Sequence, residues 1–171
     1  MTAPDPVHDV TIRWADQPGD LDWVVTAHGA QYDREFGWDD SFERLVAQIV
    51  ADYADDHDPD REAGWIAEVG GRRVGCIFCV ATDDPTTAQL RILLVTAGAR
   101  GLGVGTRLVD ECVRFARSAG YGRLTLWTND VLVSARRIYE AAGFSLHDQE
   151  THHSFGHDLV GQNWVLDLDS A

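Results

Sequence analysis

The sequence predicts an α/β (α+β) protein, with a mixed, mostly antiparallel central sheet of about seven strands flanked by four helices. Its 171 residues are 44% hydrophobic and 25% charged, which is typical of a chain that folds around its own core. Apolar residues recur at spacings of three and four in four segments, and in short apolar or alternating runs in seven others. The length fits one domain over residues 1–171.

The first half of the chain predicts three strands and two helices. Gly37 ends the first helix, and Asp39 is an N-cap residue for the second. The dipeptide Gly70-Gly71 separates two strand-like runs, which is typical of a hairpin turn. The predicted elements are, in order, a strand at 10–14, helices at 20–36 and 39–53, and strands at 64–69 and 72–81.

The second half predicts four strands and two helices. A glycine-rich turn leads from a strand into a helix that Gly120 closes, and Gly143 closes the next helix. The last two strands flank a loop rich in histidine and glycine. Besides the helix that ends at Gly120, the predicted elements are strands at 89–95 and 124–128, a helix at 130–142, and strands at 145–150 and 162–168.

The net charge argues against a nucleic-acid partner. The chain has 28 acidic residues against 14 basic ones, a formal charge of −14, and an acidic surface repels phosphate. No apolar run is long enough to span a membrane, and the first residues lack the basic and apolar regions of a signal peptide. We therefore expect a cytoplasmic protein without a nucleic-acid or membrane partner.

The cysteines and histidines predict neither a disulfide framework nor a metal site. Three cysteines are an odd number, and Cys76 and Cys79 lie on one predicted strand, where residues three apart point to opposite faces. Cys112 lies on the apolar stripe of a predicted helix. The histidines near the C-terminus lack a correctly spaced cysteine, so we expect no bound metal.

The turn from Leu94 to Thr106 is the strongest candidate for a binding site. It joins a strand to a helix, where the first helical N–H groups have no partner within the helix and attract an anion. A nucleotide-binding P-loop would need lysine where Val104 stands, and a dinucleotide fingerprint would need glycine where Leu108 stands. Another diphosphate fits the turn, and the alternative is a tight turn that binds nothing.

Two motifs in this part of the chain resemble those of a known family. Residues 100–105 read R-G-L-G-V-G, and residues 135–144 read A-R-R-I-Y-E-A-A-G-F after the strand at 124–128. These resemble the two signatures of the GNAT superfamily of acyl-CoA N-acyltransferases. The resemblance covers about residues 90–145, and the element order is similar over nearly the whole chain.

Three further segments are similar to the acetyltransferase halves of MarR-type regulator fusions. They lie at 28–38, 124–131 and 154–161. No helix-turn-helix pattern precedes them here, so if the protein is such a fusion, the DNA-binding half is missing from this chain.

The resemblance implies the GNAT fold and direct transfer of an acetyl group from acetyl-CoA to a primary amine of a small molecule or peptide in a ternary complex. It implies that backbone groups of Leu94 and Val95 hold the thioester and that Tyr139 is the general acid. The alternative for Tyr139 is a core aromatic. The coenzyme contacts that it implies are Leu94, Val95, Arg100, Gly101, Leu102, Gly103, Val104, Gly105 and Thr106, with Asn129 as a pantetheine contact.

The general base is not evident, because the strand before the turn lacks the glutamate that many relatives carry. His28, Tyr32 and Glu35 share one helical face, and the resemblance implies that this helix lines the acceptor pocket. We expect Glu35 to recognise or deprotonate the amine, and the alternative is an exposed carboxylate at the helix end. The acceptor-lining segments are about 28–40 and 152–162, with His28, Tyr32, Trp38, His153 and Phe155 as contacts.

Two other functions stay open at this stage. One is an acetyl-CoA-binding regulatory or sensory domain without turnover, and the other is an acetyltransferase of protein lysines or N-termini. A closed pocket walled by Tyr32, Trp38 and Phe155 favours a small aromatic or aliphatic amine, whereas an open acidic groove favours a protein acceptor. A homodimer is an expectation from the family alone.

Overall fold

Seven strands form one sheet in the order β1-β2-β3-β4-β5-β7-β6, and four helices cover it, in a computed structural model that describes residues 9–168. The fold class predicted from the sequence is therefore confirmed. The strands are β1 Val10–Trp14, β2 Ala63–Val69, β3 Arg72–Ala81, β4 Thr87–Val95, β5 Arg123–Asn129, β6 Ser145–Ser154 and β7 His157–Asp167. The helices are α1 Asp20–Phe36, α2 Asp40–Asp55, α3 Val104–Ser118 and α4 Val133–Ala141.

Strands β4 and β5 are the parallel pair of the sheet, and they separate partway along their length. They pair only from Thr87↔Arg123 to Gln89↔Thr125. Strand β4 then bulges against β3, because Phe78 pairs with Arg91 but Cys76 pairs with Leu94. Within the bulge Ile92 has a φ of 48°, which is unusual for a β-branched residue. The result is an open gap between the C-terminal halves of β4 and β5.

The helices cover the two faces of the sheet in pairs. Helices α3 and α4 pack on one face with Cys79 and Cys112, and α1 and α2 pack on the other with Cys76. All three cysteines are buried and free, so the prediction that Cys76 and Cys79 point to opposite faces of the core is confirmed. Within residues 9–168, no helix is both long enough and apolar enough to cross a membrane.

Two predicted boundaries were wrong. The helix predicted at 130–142 begins only at Val133, because residues 129–132 form a turn in which the Leu132 N–H donates to the Asn129 carbonyl at 3.0 Å. The predicted histidine-rich loop is a continuation of β6 and β7. These strands meet at a two-residue turn in which Phe155 (φ 57°) and Gly156 (φ 83°) both have positive φ, as a tight hairpin requires.

A buried carboxylate fixes the start of α1 against the sheet. Asp20 is 0% exposed and accepts hydrogen bonds from Arg13 of β1 at 2.8 and 2.9 Å and from Arg73 of β3 at 2.9 Å. The backbone N–H of Gln17 donates to it at 2.9 Å. Burial by itself would raise the pKa of Asp20, but these donors outweigh it and lower the pKa to about 2. The position of α1, which carries several cavity residues described below, depends on this network.

We expect Asp20→Ala to lower the free energy of unfolding by about 3 kcal/mol or more, because it leaves two arginines without their buried partner. Chemical denaturation measures this change. The matched control is Asp167→Ala, which breaks the exposed ion pair with Arg123 (3.2 Å) and should cost less than about 0.5 kcal/mol. Equal losses in the two variants would contradict a structural role for the Asp20 network.

Candidate active site

Two cavities meet at the gap between β4 and β5. The aromatic cavity, about 440 Å³, lies among α1, α2, the middle of β4, β5 and β6. The loop cavity, about 500 Å³, lies among α1, the end of β4, the glycine-rich turn and the start of α4. Both are lined by Tyr32, Leu93, Leu132 and Ala135, so a molecule in one cavity can contact a molecule in the other through the gap.

The loop cavity includes the N-terminus of α3, which is built to receive an anion. Gly103 caps this helix in the left-handed conformation with a φ of 77°, and no side chain caps its free N–H groups. The first turns of α1 and α2 contain acidic residues, whereas the first turn of α3 contains none. The positive end of the α3 dipole therefore faces the loop cavity without a protein carboxylate in its first turn.

Two arginines add positive charge to the loop cavity, although the chain as a whole is strongly acidic. Arg100 and Arg137 both line it. Arg100 also forms an ion pair with Glu35, at 2.7 Å. Glu35 lies in the last turn of α1, lines the loop cavity and is absent from the lining of the aromatic cavity. Its expected role toward the amine stays a prediction.

The C-terminal end of β4 borders the gap and accepts a hydrogen bond from a side chain of α1. Beyond Gln89 the edge of β4 that faces β5 has no strand partner, and Leu94 and Val95 line the loop cavity there. Gln31 is buried, lines the loop cavity and donates a hydrogen bond to the Val95 carbonyl at 2.9 Å. Gln31 was not among the residues predicted from the sequence, although its spacing from His28 and Glu35 puts it on the same helical face.

Four aromatic rings form one wall of the aromatic cavity. Ring centroids lie 4.6 Å apart for Tyr32 and Phe42, 5.1 Å for Tyr32 and Trp38, and 4.9 Å for Trp38 and Phe155. The backbone N–H of Asp39 donates to the Phe155 carbonyl at 3.1 Å, which joins the tip of the β6–β7 hairpin to the junction of α1 and α2. The wall thus combines residues from both ends of the chain.

Strand β6 supplies a polar wall through its alternation. Glu150, His152 and Ser154 line the aromatic cavity, two residues apart along one face of the strand. His153 does not line this cavity and contacts Asp158 at 2.9 Å, and its expected contact with the acceptor stays a prediction. If the sequence had predicted strand β6 through Ser154, the alternation of its side chains would have placed His152, and not His153, on the face with Glu150 and Ser154.

A hydrogen-bonded chain orients His152. Its Nε2 lies 2.8 Å from the Asn129 Oδ1, and its Nδ1 lies 2.9 Å from the Ser154 hydroxyl. Because a side-chain carbonyl only accepts, Nε2 carries the hydrogen and Nδ1 is free to accept from Ser154. Asn129 lines the aromatic cavity and not the loop cavity, and its expected contact with the pantetheine arm stays a prediction.

His28 is buried and neutral. It is 1% exposed, lines the aromatic cavity and donates from Nδ1 to the Val24 carbonyl at 2.6 Å, and its Nε2 has no partner among residues 9–168. Burial lowers the pKa of His28 to about 4 and outweighs the opposing effect of the bond to Val24. At neutral pH the ring is therefore uncharged.

Tyr139 lies on α4 and lines the aromatic cavity but not the loop cavity. It is buried, lines the aromatic cavity one helical turn after Ala135, and its hydroxyl forms no hydrogen bond within the described part of the chain. Burial raises the pKa of Tyr139 well above its usual range, so the hydroxyl keeps its proton at neutral pH. It is thus an available proton donor in the aromatic cavity.

The remaining predicted residues divide between the two cavities. Leu94, Val95, Arg100, Gly101, Gly103, Val104, Gly105 and Thr106 line the loop cavity, whereas Leu102 packs its side chain against the core. Tyr32, Trp38, Phe155 and His28 line the aromatic cavity. Among residues 9–168, no group of three potential ligands is placed to hold a metal ion.

Comparisons with known proteins agree with this geometry. The model of the acetyltransferase (GNAT) family matches residues 22–144. N-acetyltransferase 8B of Homo sapiens is 32% identical over 113 residues, which cover 63% of this chain and 50% of that protein. N-acetyltransferase 8 of Rattus norvegicus is 31% identical over 136 residues, which cover 77% of this chain and 58% of that protein. The chain thus spans about half the length of the curated relatives that it matches.

A solved structure shares the fold. The protein yncA from Salmonella typhimurium, solved with its cofactor acetyl-CoA, superposes with a TM-score of 0.75 over 95% of this chain and 96% of that one. The two sequences are 18% identical, so the likeness shows a common fold.

The neutral state of His28 predicts a specific dependence of stability on pH. Since the pKa is about 4 in the folded chain and about 6.5 in the unfolded chain, the unfolded state binds more protons between these values, and stability falls as the pH drops from 6.5 to 4. We expect His28→Phe to remove this part of the loss, on the order of 3 kcal/mol. Denaturation curves of the two proteins measured from pH 7.5 to 4 test it, and parallel pH profiles would contradict a buried neutral ring.

Proposed function

The chain belongs to the acetyltransferase (GNAT) family, and we propose that it transfers an acetyl group from acetyl-CoA directly to a primary amine. One observation carries the proposal: the loop cavity, at the uncapped N-terminus of α3, and the aromatic cavity, with its polar wall on β6, meet at the gap between β4 and β5. Direct transfer requires this arrangement, because both substrates must be bound at the same time with their reacting atoms in contact.

The loop cavity is the proposed acetyl-CoA site. The free N–H groups from Gly101 to Thr106 would bind the pyrophosphate, and Arg100 and Arg137 would add charge-assisted contacts. The acetyl carbonyl would lie at the unpaired edge of β4 near Leu94 and Val95, whose backbone groups polarise it. Glu35 would then be a positioning residue that holds Arg100, through the 2.7 Å ion pair.

The reaction needs a neutral amine and a protonated leaving group. The amine nitrogen forms a bond to the acetyl carbon, the carbon–sulfur bond breaks, and the thiolate takes a proton. The products are the N-acetyl amine, coenzyme A and one released proton. Neutralising an amine of pKa 10.4 at neutral pH costs roughly 4 kcal/mol, so a nearby acceptor for its proton contributes directly to the rate.

Tyr139 and His152 are the proposed proton-transfer residues. Tyr139 keeps its proton in the aromatic cavity and would donate it to the thiolate. Nδ1 of His152 is directed to the Ser154 hydroxyl, so the pair of His152 and Ser154 would accept the proton of the amine. Glu150 would attract the ammonium form of the acceptor to the same wall of the cavity. This moves the proposed base from α1, where Glu35 is paired with Arg100, to β6.

The acceptor class and the setting of the protein are proposals as well. A walled cavity of about 440 Å³ favours a small-molecule amine or a short peptide over a folded protein surface. One domain, a cytoplasmic location, a homodimer and kinship with MarR-type regulator fusions stay predictions from the sequence. A sensory domain that binds acetyl-CoA without turnover is the outcome that the following experiment separates from catalysis.

The experiment is thiol release from acetyl-CoA with a panel of polyamines, arylalkylamines, amino acids, aminoglycosides and basic peptides, with calorimetry of acetyl-CoA binding alongside. Release that depends on one acceptor class supports the proposal. Binding without release would identify a sensor or a missing protein acceptor, and the absence of both would overturn the proposal.

We expect Tyr139→Phe to lower kcat at least about tenfold, because the thiolate loses its proton donor, while the Kd for acetyl-CoA stays unchanged. Steady-state kinetics and calorimetry measure the two quantities. An unchanged kcat would remove Tyr139 from the mechanism, and a parallel loss of acetyl-CoA affinity would indicate a packing role.

Two adjacent histidines offer a matched pair of variants. His152→Gln should lower kcat at least about tenfold and remove the basic group from the pH–rate profile, because proton transfer by a positioned histidine contributes at least that much. His153→Gln, on the opposite face of β6, should leave both unchanged. Equal effects of the two substitutions would exclude His152 as the proton acceptor.

A further inference from the structure

Arg91 is a cation without a counter-ion in the wall of the aromatic cavity. It lies beyond the part of β4 that pairs with β5, borders the bulge at Ile92, and is the only arginine among residues 9–168 that lines this cavity. Arg13, Arg73 and Arg100 each have a carboxylate partner within 3 Å. Arg91 forms no hydrogen bond or ion pair with any side chain of residues 9–168, and it is partly buried.

An arginine in this state is poised to bind an anion. Burial lowers the pKa of Arg91, and Asp52 of α2, which opposes this effect, is not within ion-pair distance of it. A partly buried guanidinium without a partner is costly, and its planar fork matches the two oxygens of a carboxylate. The Arg91 guanidinium is therefore placed to bind a carboxylate of the molecule that enters the cavity.

The rest of the aromatic cavity fits the other parts of a zwitterion. Within the described range 9–168, Glu150 is the only acidic side chain that lines the cavity, and it stands on β6, on a different wall from Arg91, where it attracts an ammonium group. The surface contributed by α2 is apolar and consists of Phe42, Leu45, Val46 and Ile49. A molecule with a carboxylate, an amine and an apolar group satisfies all three surfaces, and about 440 Å³ is enough for one small molecule.

We propose, resting on the acetyltransferase activity proposed above, that the acceptor is a free amino acid with an apolar or aromatic side chain and that Arg91 binds its carboxylate. Arg91 is then the residue that determines the acceptor class. A protein lysine and a polyamine carry no carboxylate near the reacting amine, so they leave the guanidinium unpaired and are poor acceptors. The step is the one given above, with an N-acetyl amino acid, coenzyme A and a proton as products.

Matched acceptors test the carboxylate contact. Phenylalanine, phenylalanine amide and 2-phenylethylamine share the ring and the amine and differ in the carboxylate, and leucine with 3-methylbutylamine forms a second pair. We expect kcat/KM for each acid to exceed that of its matched amine by about tenfold to a hundredfold, as a charge-assisted hydrogen-bonded pair provides. A single lysine-containing peptide in the same assay represents the protein acceptor.

Substitution of Arg91 tests the residue. Arg91→Gln should raise KM for phenylalanine about tenfold or more and leave the kinetics of 2-phenylethylamine nearly unchanged, and Arg91→Lys should give an intermediate KM. Arg114→Gln on the outer face of α3, where the side chain is 73% exposed, is the control and should change neither acceptor. A general structural defect would instead affect both acceptors equally.

A binding measurement separates this inference from the proposed activity. Calorimetry of phenylalanine and of 2-phenylethylamine is performed on the protein saturated with coenzyme A, which cannot react. Tighter binding of the acid that disappears in Arg91→Gln supports the carboxylate contact even where no transfer occurs, an outcome that overturns only the activity. Transfer to amines or to the peptide without a preference for the acid overturns the amino-acid acceptor and leaves the activity standing. If neither binding nor transfer is detected, both the amino-acid acceptor and the acetyltransferase activity are overturned.

Discussion

Strands β4 and β5 share three residue pairs and then part, and both cavities exist because the pairing stops there. A sheet that continued its ladder would satisfy the backbone groups of β4 internally and leave no contact between the two cavities. The bulge at Ile92, with a φ of 48°, directs β4 away from β5 while its pairing with β3 continues on both sides. Backbone strain of this kind persists only where the surrounding packing enforces it, and here Ile92 packs against the core cluster under α1 and α2.

Charge is distributed unevenly over the molecule, and the distribution matches the two cavities. A chain with a formal charge of −14 would be expected to repel a diphosphate, yet the first turn of α3 is free of acid and is flanked by Arg100 and Arg137. The acidic residues of α1 and α2 stabilise their own N-termini, which removes those helix ends as competing anion sites. Local fields from helix ends and paired side chains therefore decide where an anion binds, and the net charge does not.

Local sequence signals predicted most of the fold. Glycines at helix ends, the Asp39 cap and apolar periodicity gave α1, α2 and the first three strands within a residue or two of their observed bounds. The features that were not predicted depend on contacts between residues far apart in the sequence. A turn built from Phe155 and Gly156 is not recognisable as a hairpin unless the pairing of β6 with β7 is known, and that error selected His153 in place of His152. The ion pair between Glu35 and Arg100 spans 65 residues and has no local signal.

The aromatic cavity is also formed by residues that lie farther apart in the sequence than those that form the loop cavity. Apart from α1, the loop cavity uses residues from 93 to 138, whereas the aromatic cavity joins α1 and α2 to the tip of the β6–β7 hairpin. The hydrogen bond from His157 to the Gly37 carbonyl closes a loop of 120 residues. Ordering such a loop carries an entropy cost that grows with its length, and contacts this distant in sequence slow folding. The aromatic cavity, which is the proposed acceptor site, therefore depends on complete folding of the chain and is exposed to mutations that weaken the hairpin tip.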